Sequence, residues 1–194
     1  MAIDKAQPDL FASGMALPEG FCYAPDLLSE SEEKDLSEEI ASLPFKEFEF
    51  HGFVGRRRVV SFGWRYDFNG GGLRQTDDMP EFLLQVRDKA AGFAQINSCD
   101  LQHVLVTEYG PGAAIGWHKD RGVFGDVVGI SLLSSCTFRF RQKSETKWKR
   151  TSMVIEPRSV YLLRGSSRDD WEHSIPPVDN LRYSITFRNV RARS

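Results

Sequence analysis

From Leu101 onward the sequence falls into short alternating stretches separated by turn residues, and this density of strands restricts the fold most. The stretches lie at Leu101–Tyr109, Ile115–Trp117, Val127–Leu133, Thr137–Gln142, Lys147–Ile155, Ser159–Leu163, Glu172–Ser174 and Arg182–Val190. Many short strands with turns between them predict a closed or doubled sheet, a jelly roll rather than an open parallel sheet. The last stretch sharpens the expectation. Arg182, Ser184, Thr186 and Arg188 share one face, and Tyr183, Ile185 and Phe187 share the other. In an open sheet the arginines would stand in water, whereas in a closed one they line a pocket and need anionic partners. Asp120 could serve one of them, and a dicarboxylate could serve both. By strand rise their Cα atoms are about 20 Å apart, so the two side chains must lean toward the middle to share a small dicarboxylate.

The first hundred residues are of another kind. Residues 1–25 hold Pro8, Gly14, Pro18 and Pro25 without periodicity and read as an extended lead-in. Ser29 with Glu32 forms a capping box, preceded by Leu28 as staple, and opens a helix. Leu36, Ile40 and Leu43 are its apolar stripe, and Pro44 ends it. Phe45–Phe50 and Arg58–Phe68 read as strands joined through Gly52 to Gly55. The even spacing of Phe62, Trp64, Tyr66 and Phe68 suits either a core stripe or a platform for a flat base. Arg56, Arg57 and Arg58 before it suit phosphate contacts or a solvated loop, and Asn69 to Gly72 could be a lid hinge. A second helix is expected over Pro80–Ile96, capped by Asp77 or Asp78, burying Phe82, Val86, Ala90 and Phe93. With no linker in view, the expectation is one α+β domain over 1–194: lead-in 1–25, helices and lid 26–98, jelly-roll core 99–194.

Bulk properties exclude several classes. A 194-residue chain that is 41% hydrophobic can bury a sizeable core. A net charge near −2 rules out nucleic-acid attraction by bulk electrostatics, so any such affinity needs a local patch. Cys22, Cys99 and Cys136 are odd in number and widely spaced, which argues against a disulfide framework and for a reducing compartment. The polar start of the chain and the lack of a membrane-length apolar run lead to the expectation of an intracellular, cytoplasmic protein (nuclear if eukaryotic), without membrane contact and monomeric.

One constellation carries chemistry. After the turn Gly110-Pro111-Gly112 come His118 and Asp120, two residues apart and therefore on one face of an extended chain. An imidazole and a carboxylate with one more histidine make the facial set that holds Fe(II) with positions left open. The remaining histidines are His51, His103 and His173. A jelly roll returns a late strand beside an early one, which favours His173.

Together these residues resemble the AlkB-like Fe(II)/2-oxoglutarate dioxygenases, whose core is a double-stranded β-helix. The resemblance runs in order from about residue 57 to 190, through Tyr109-Gly-Pro-Gly, His118-x-Asp120, His173 and the RYSITFR stretch from Arg182 to Arg188. It implies His118, Asp120 and His173 as iron ligands. Arg182 would bridge the far carboxylate of 2-oxoglutarate, and Arg188 would act near the metal end and Asp120. Tyr109 would hydrogen-bond the co-substrate, helped by Thr107 where many members carry asparagine. O2 is the other co-substrate, and the implied products are succinate, CO2 and a hydroxylated C–H bond. A hydroxylated N-methyl group breaks down to formaldehyde and free nitrogen.

For the substrate, the resemblance implies alkylated nucleic acid, DNA ahead of RNA. Trp64, Tyr66 and Phe68 lie in the region of the nucleotide-recognition lid. The hairpin from Arg139 to Arg150 carries Arg139, Arg141, Lys143, Lys147, Lys149 and Arg150 against Glu145 alone, a positive ribbon suited to phosphates. Its FRFRQK wording looks closest to members acting on duplex DNA, where the target base must leave the stack. Arg121 stands where repair members commonly carry an acid, leaving Asp67, Asp126, Asp169 or Asp170 as substitutes. The alternatives are the same oxidation of a protein or small molecule, or a non-catalytic jelly-roll binding module.

Overall fold

The computed structural model describes residues 16–50, 53–66 and 72–191. In chain order the elements are β1 (Phe21–Ala24), α1 (Glu30–Ala41), β2 (Lys46–Phe50), β3 (Phe53–Phe62), β4 (Trp64–Tyr66), β5 (Leu73–Gln75) and α2 (Glu81–Ala94). After them come β6 (His103–Tyr109), β7 (Ile115–His118), β8 (Phe124–Leu132), β9 (Cys136–Lys143), β10 (Trp148–Ile155), β11 (Val160–Leu163), α3 (Ser166–Asp169), β12 (Glu172–Ile175) and β13 (Arg182–Val190). A seven-stranded sheet runs β1-β11-β8-β13-β6-β3-β2, a four-stranded sheet runs β10-β9-β12-β7, and β4–β5 form a separate hairpin. The pairings within the two large sheets are antiparallel. This is the double-stranded β-helix with flanking helices that the strand spacing predicts.

Two apolar layers explain why β13 is buried over seven consecutive residues. Tyr183, Ile185 and Phe187 join Val104, Val106, Val128, Ile130 and Leu132 in a layer closed by α1 and α2. The opposite face of the same strands turns toward the four-stranded sheet, across a second layer that includes Phe138, Phe140, Tyr161 and Ile175. The helices are thus a lid over one side of the large sheet, and the polar face of β13 is left to line the interior. In α1, Ser29 Oγ accepts from the Glu32 amide (3.2 Å) and Glu32 returns the bond from Ser29 N (2.8 Å), the capping box foreseen. Leu36 and Ile40 are buried below it; complete burial of such a side chain contributes about 1.5–3 kcal/mol.

Several local expectations need correction. The lead-in contains β1, an edge strand paired with β11; four residues without alternating polarity gave no periodic signal. Helix α1 stops at Ala41, where Ser42 caps it, before Pro44 can act. In α2 the N-cap is Pro80 without a side-chain cap, and the buried set is Leu83, Val86, Ala90, Ala91 and Ala94. Phe82 and Phe93 pack only partly buried at its edges, because the alanines let the helix approach the sheet closely. The stripe Phe62 to Phe68 is not one strand. Gly63 takes φ +76°, and a Cβ there would lie 2.1 Å from the Gln102 carbonyl oxygen. The break sends Phe62 into the helix-side core and starts the separate β4–β5 hairpin with Trp64 and Tyr66. Phe68, Asp67, His51, residues 69–71 of the supposed hinge and the first 15 residues lie outside the described residues. Since β3 starts at Phe53, the joint with β2 falls before Gly55. No helix of the described residues is long and apolar enough to cross a membrane.

Gly129 shows how tightly the interior is filled. It sits opposite Tyr161 in the β8–β11 pairing, and a Cβ added there would meet the ring at 2.1 Å. Gly129→Ala should therefore lower the unfolding free energy by about 1–3 kcal/mol, read from urea denaturation.

Candidate metal centre

β6 brings Thr107 and Tyr109 to the interior and ends in the Gly-Pro-Gly turn. There Gly112 (φ +80°) donates to the Val178 carbonyl at 2.7 Å, and Val178 returns a bond to Ala113 at 3.0 Å. The turn is thereby tied to the segment leading into β13. β7 follows and pairs with β12, with His118 directly opposite His173. The ligating atoms of His118, Asp120 and His173 all lie within 4.8 Å of one another, the one such cluster among the described residues. The two imidazole centroids are 4.3 Å apart, and His173 Nε2 is 3.6 Å from Asp120 Oδ2.

Surrounding groups orient each of the three. His118 Nδ1 lies 2.9 Å from the Gly116 carbonyl; a carbonyl only accepts, so Nδ1 carries the proton and the Nε2 lone pair is free. Phe138 stacks on His173 at 5.3 Å between centroids. Arg188 donates twice to Asp120 Oδ1, from Nε at 3.0 Å and Nη2 at 2.7 Å, which leaves Oδ2 toward His173. Burial alone would raise the Asp120 carboxyl, but Arg188 and then the two histidines outweigh it and hold it well below the usual carboxylate range. Burial, reinforced by His118, pushes His173 down to about 3, and burial also lowers His118. At neutral pH the cluster therefore offers one carboxylate and two neutral imidazoles, the protonation a divalent metal requires.

Arg182 is the second marker. It is fully buried, and its Nε donates to Ser131 Oγ at 3.0 Å. Nη1 and Nη2 have no partner. Tyr109 approaches with its ring centroid 5.1 Å from the guanidinium carbon. Burial raises the Tyr109 phenol, partly offset by Arg182, so it stays protonated. A buried guanidinium with two empty nitrogens is costly unless a carboxylate completes it. The donor set thus fits iron together with a dicarboxylate.

His118, Asp120, His173 and Tyr109 open into a cleft of about 1250 Å³, which the fully buried Arg182 does not itself line. Thr107, Tyr109, Ser184, Thr186, Arg188 and Tyr66 line it; Trp64 does not. His103 sits behind the cluster, with Nδ1 3.4 Å from Arg188 Nη1, and is not one of the three. Arg139 and Arg141 lie outside the cleft lining. Arg139 donates to Ser174 Oγ at 3.0 Å, Arg141 is ion-paired with Glu172, and both guanidiniums stack near Trp117. Asp126 pairs with Arg164 and Asp169 with Arg191, each at 2.7 Å. Neither these two acids nor Asp170 lines the cleft, but Asp77 does. Of the three consecutive arginines, Arg58 pairs with Glu108 (2.7 Å) and Arg57 faces the cleft.

A residue without any motif signal also matters. Arg168, in the short helix α3, is buried and donates to three carbonyls: Gly125 (2.9 Å), Arg121 (2.7 Å) and Phe124 (2.8 Å). It clamps the loop that follows Asp120.

With the geometry in place, comparison with known proteins is informative. A family profile described as the 2OG-Fe(II) oxygenase superfamily matches residues 20–188. An Arabidopsis thaliana protein named alkylated DNA repair protein ALKBH8 homolog is 25% identical, over 97% of this chain and 60% of its own. The mouse alpha-ketoglutarate-dependent dioxygenase alkB homolog 7, mitochondrial, is 31% identical over 78% of this chain and 65% of its own. The chain thus spans somewhat under two thirds of the length of these relatives. The solved structure of OsALKBH1 superposes with a TM-score of 0.69 at 15% identity, covering 91% of this chain and 99% of that one, a likeness of fold.

Replacing Arg168 with methionine strands three carbonyls and frees the loop. The expected cost is about 2 kcal/mol or more of stability, with divalent-metal affinity down about 10- to 100-fold, measured by urea unfolding and by calorimetric Mn(II) titration.

Proposed function

Since the chain belongs to the 2OG-Fe(II) oxygenase superfamily, we propose that it is an AlkB-like Fe(II)- and 2-oxoglutarate-dependent dioxygenase that oxidatively removes alkyl groups from nucleic-acid bases. The observation carrying the oxidative reading is Arg182. Its two unpartnered Nη atoms lie in the same interior as a cluster of one carboxylate and two imidazoles.

In this reading His118, Asp120 and His173 hold the iron, and Arg182 takes the far carboxylate of 2-oxoglutarate in a bidentate pair with the Tyr109 hydroxyl donating beside it. When bound, iron and 2-oxoglutarate supply the oxidation: O2 is consumed, 2-oxoglutarate becomes succinate and CO2, and one oxygen atom enters a substrate C–H bond. The chain's own part is orientation. Arg188 keeps Asp120 ionised and turned, Gly116 fixes the His118 tautomer, and Phe138 keeps water from one face of His173. Thr107, two residues before Tyr109 on the same strand face, is a further donor toward the co-substrate. For a methylated base nitrogen, hydroxylation followed by loss of formaldehyde restores the N–H.

Three points support the nucleic-acid substrate. The cleft is larger than 2-oxoglutarate requires and above the usual range of about 300–1,000 Å³ for small-ligand pockets. Tyr66 offers a ring inside it, and relatives bear names that speak of alkylated DNA repair and of RNA/DNA demethylation. The same oxidation on a non-nucleic substrate is favoured by one observation, the pairing of Arg141 with Glu172, which removes a cation from the hairpin expected to hold phosphate.

Incubation of iron-loaded protein with methylated DNA, methylated RNA and methylated peptide should give succinate and formaldehyde in equal amounts with a nucleic acid. Loss of 2-oxoglutarate without loss of base methyl groups would overturn the substrate. Asp120→Ala should abolish turnover, and Arg182→Met should raise the KM for 2-oxoglutarate by about tenfold or more, the loss of a charged hydrogen-bond pair.

A further inference from the structure

Apart from the Asp120–Arg188 pair, the cleft is lined by five cationic and two acidic side chains. That excess of positive charge calls for an anion, and one residue shows where it would rest. Arg57, half-buried in β3, lays its guanidinium on the Phe48 ring with the carbon 3.8 Å from the centroid. Among the described residues nothing gives it a hydrogen-bond acceptor or an ion-pair partner. The contrast with its neighbours is informative: Arg58 forks onto Glu108, Arg188 onto Asp120, and Arg168 onto three carbonyls.

A guanidinium stacked on a ring uses its face, so its in-plane N–H donors remain for a ligand. Their fork matches the paired oxygens of a carboxylate or phosphate. Burial lowers the Arg57 pKa, and its charge acts on both Tyr109 and His118. The group lines the same cleft as His118, Asp120 and His173. In the same cleft Arg121 holds its guanidinium carbon 5.0 Å from the Tyr66 ring centroid, a second positive group on an aromatic support.

We propose that Arg57 anchors an anionic oxygen pair of the substrate, a phosphodiester or a carboxylate, and thereby sets which substrates the cleft accepts. The proposal rests on the reading of this cleft as an oxygenase's substrate site. A cationic alkylated base without a flanking phosphate would gain nothing from Arg57, so a free nucleoside of that kind would be held less well than the same base in a strand.

The test uses the full chain loaded with Mn(II) and 2-oxoglutarate. Anisotropy is measured with a labelled single-stranded oligonucleotide carrying one N-methylated base, and with its copy in which methylphosphonates replace the two flanking phosphates. Neutralising the phosphates should weaken wild-type binding by about tenfold or more, the loss of a charge-assisted pair. Arg57→Gln should bind both probes alike, and Arg57→Lys should keep part of the difference. If the wild type ignores the methylphosphonates but binds orotidine about tenfold better than uridine, and Arg57→Gln does not, the partner is a carboxylate. Equal responses of wild type and Arg57→Gln to every neutralised probe overturn the proposal, as does a loss of 2-oxoglutarate affinity in Arg57→Gln, which would assign the residue to the co-substrate. Failure of the iron-loaded wild type to form succinate sinks the oxygenase reading separately, because the binding difference does not depend on turnover.

Discussion

β13 has no solvent face, and the site is organised by how its two guanidiniums find counter-charge. One of its sides is filled by Tyr183, Ile185 and Phe187 against the helices; the other carries Arg182 and Arg188 into the interior. Arg188 is answered within the chain by Asp120, and separating such a buried pair costs about 3–5 kcal/mol. Asp120 is thus counter-ion and candidate ligand at once. Both Arg188 bonds fall on Oδ1, so the pair that keeps the carboxylate charged also decides which oxygen remains for a metal. Arg182 receives only a serine hydroxyl. The fold leaves that charge incomplete, an arrangement sensible for a binding site and wasteful for a scaffold.

The histidines complete the electrostatic logic. Burial disfavours the imidazolium at His118 and His173, and each would repel the other if charged. Neutral rings with one free nitrogen suit a divalent cation far better than a proton. A cation arriving beside Asp120 and a dianion arriving beside Arg182 also bring opposite charges, so the presence of one lowers the cost of burying the other. The cross-strand pairing of β7 with β12 makes this possible, because it sets His118 and His173 opposite each other.

Period-two patterning made the core strands legible, β13 to the residue, because a strand buried on both faces still alternates in chemistry. The same patterning presented Arg182 and Arg188 as inward charges and His118 with Asp120 as neighbours. The choice of His173 over His103 was a long-range matter of register, visible locally only in that both lie on strands. The strand expected over Arg58–Phe68 breaks at Gly63, which sequence does not show because a glycine at positive φ and a glycine in a strand are the same letter; the nearby Gln102 carbonyl is what requires glycine there. Arg168 left no signal at all, since its partners are main-chain carbonyls that any sequence would supply. Arg57 was not readable by alternation: Arg58 lies directly across from its partner Glu108, but Arg57 sits where the β2–β3 register shifts.

The hairpin arginines show how a charge count can be right and its meaning different. Arg139 and Arg141 belong to a basic ribbon, yet Arg139 bonds Ser174 and Arg141 pairs with Glu172, the residues on either side of His173. Trp117, next to His118, lies near both guanidiniums. Two cations expected at a phosphate backbone thus brace β12 and β7, the strands bearing both imidazoles, from outside. Each such contact is part-buried and contributes modestly alone. Acting on the two residues that flank His173 in one short strand, however, they restrict the same rotation and translation, the motions that would pull His173 away from His118. Positive charge that remains free to meet a substrate is then found on the cleft wall, at Arg57, rather than on the hairpin's inner half.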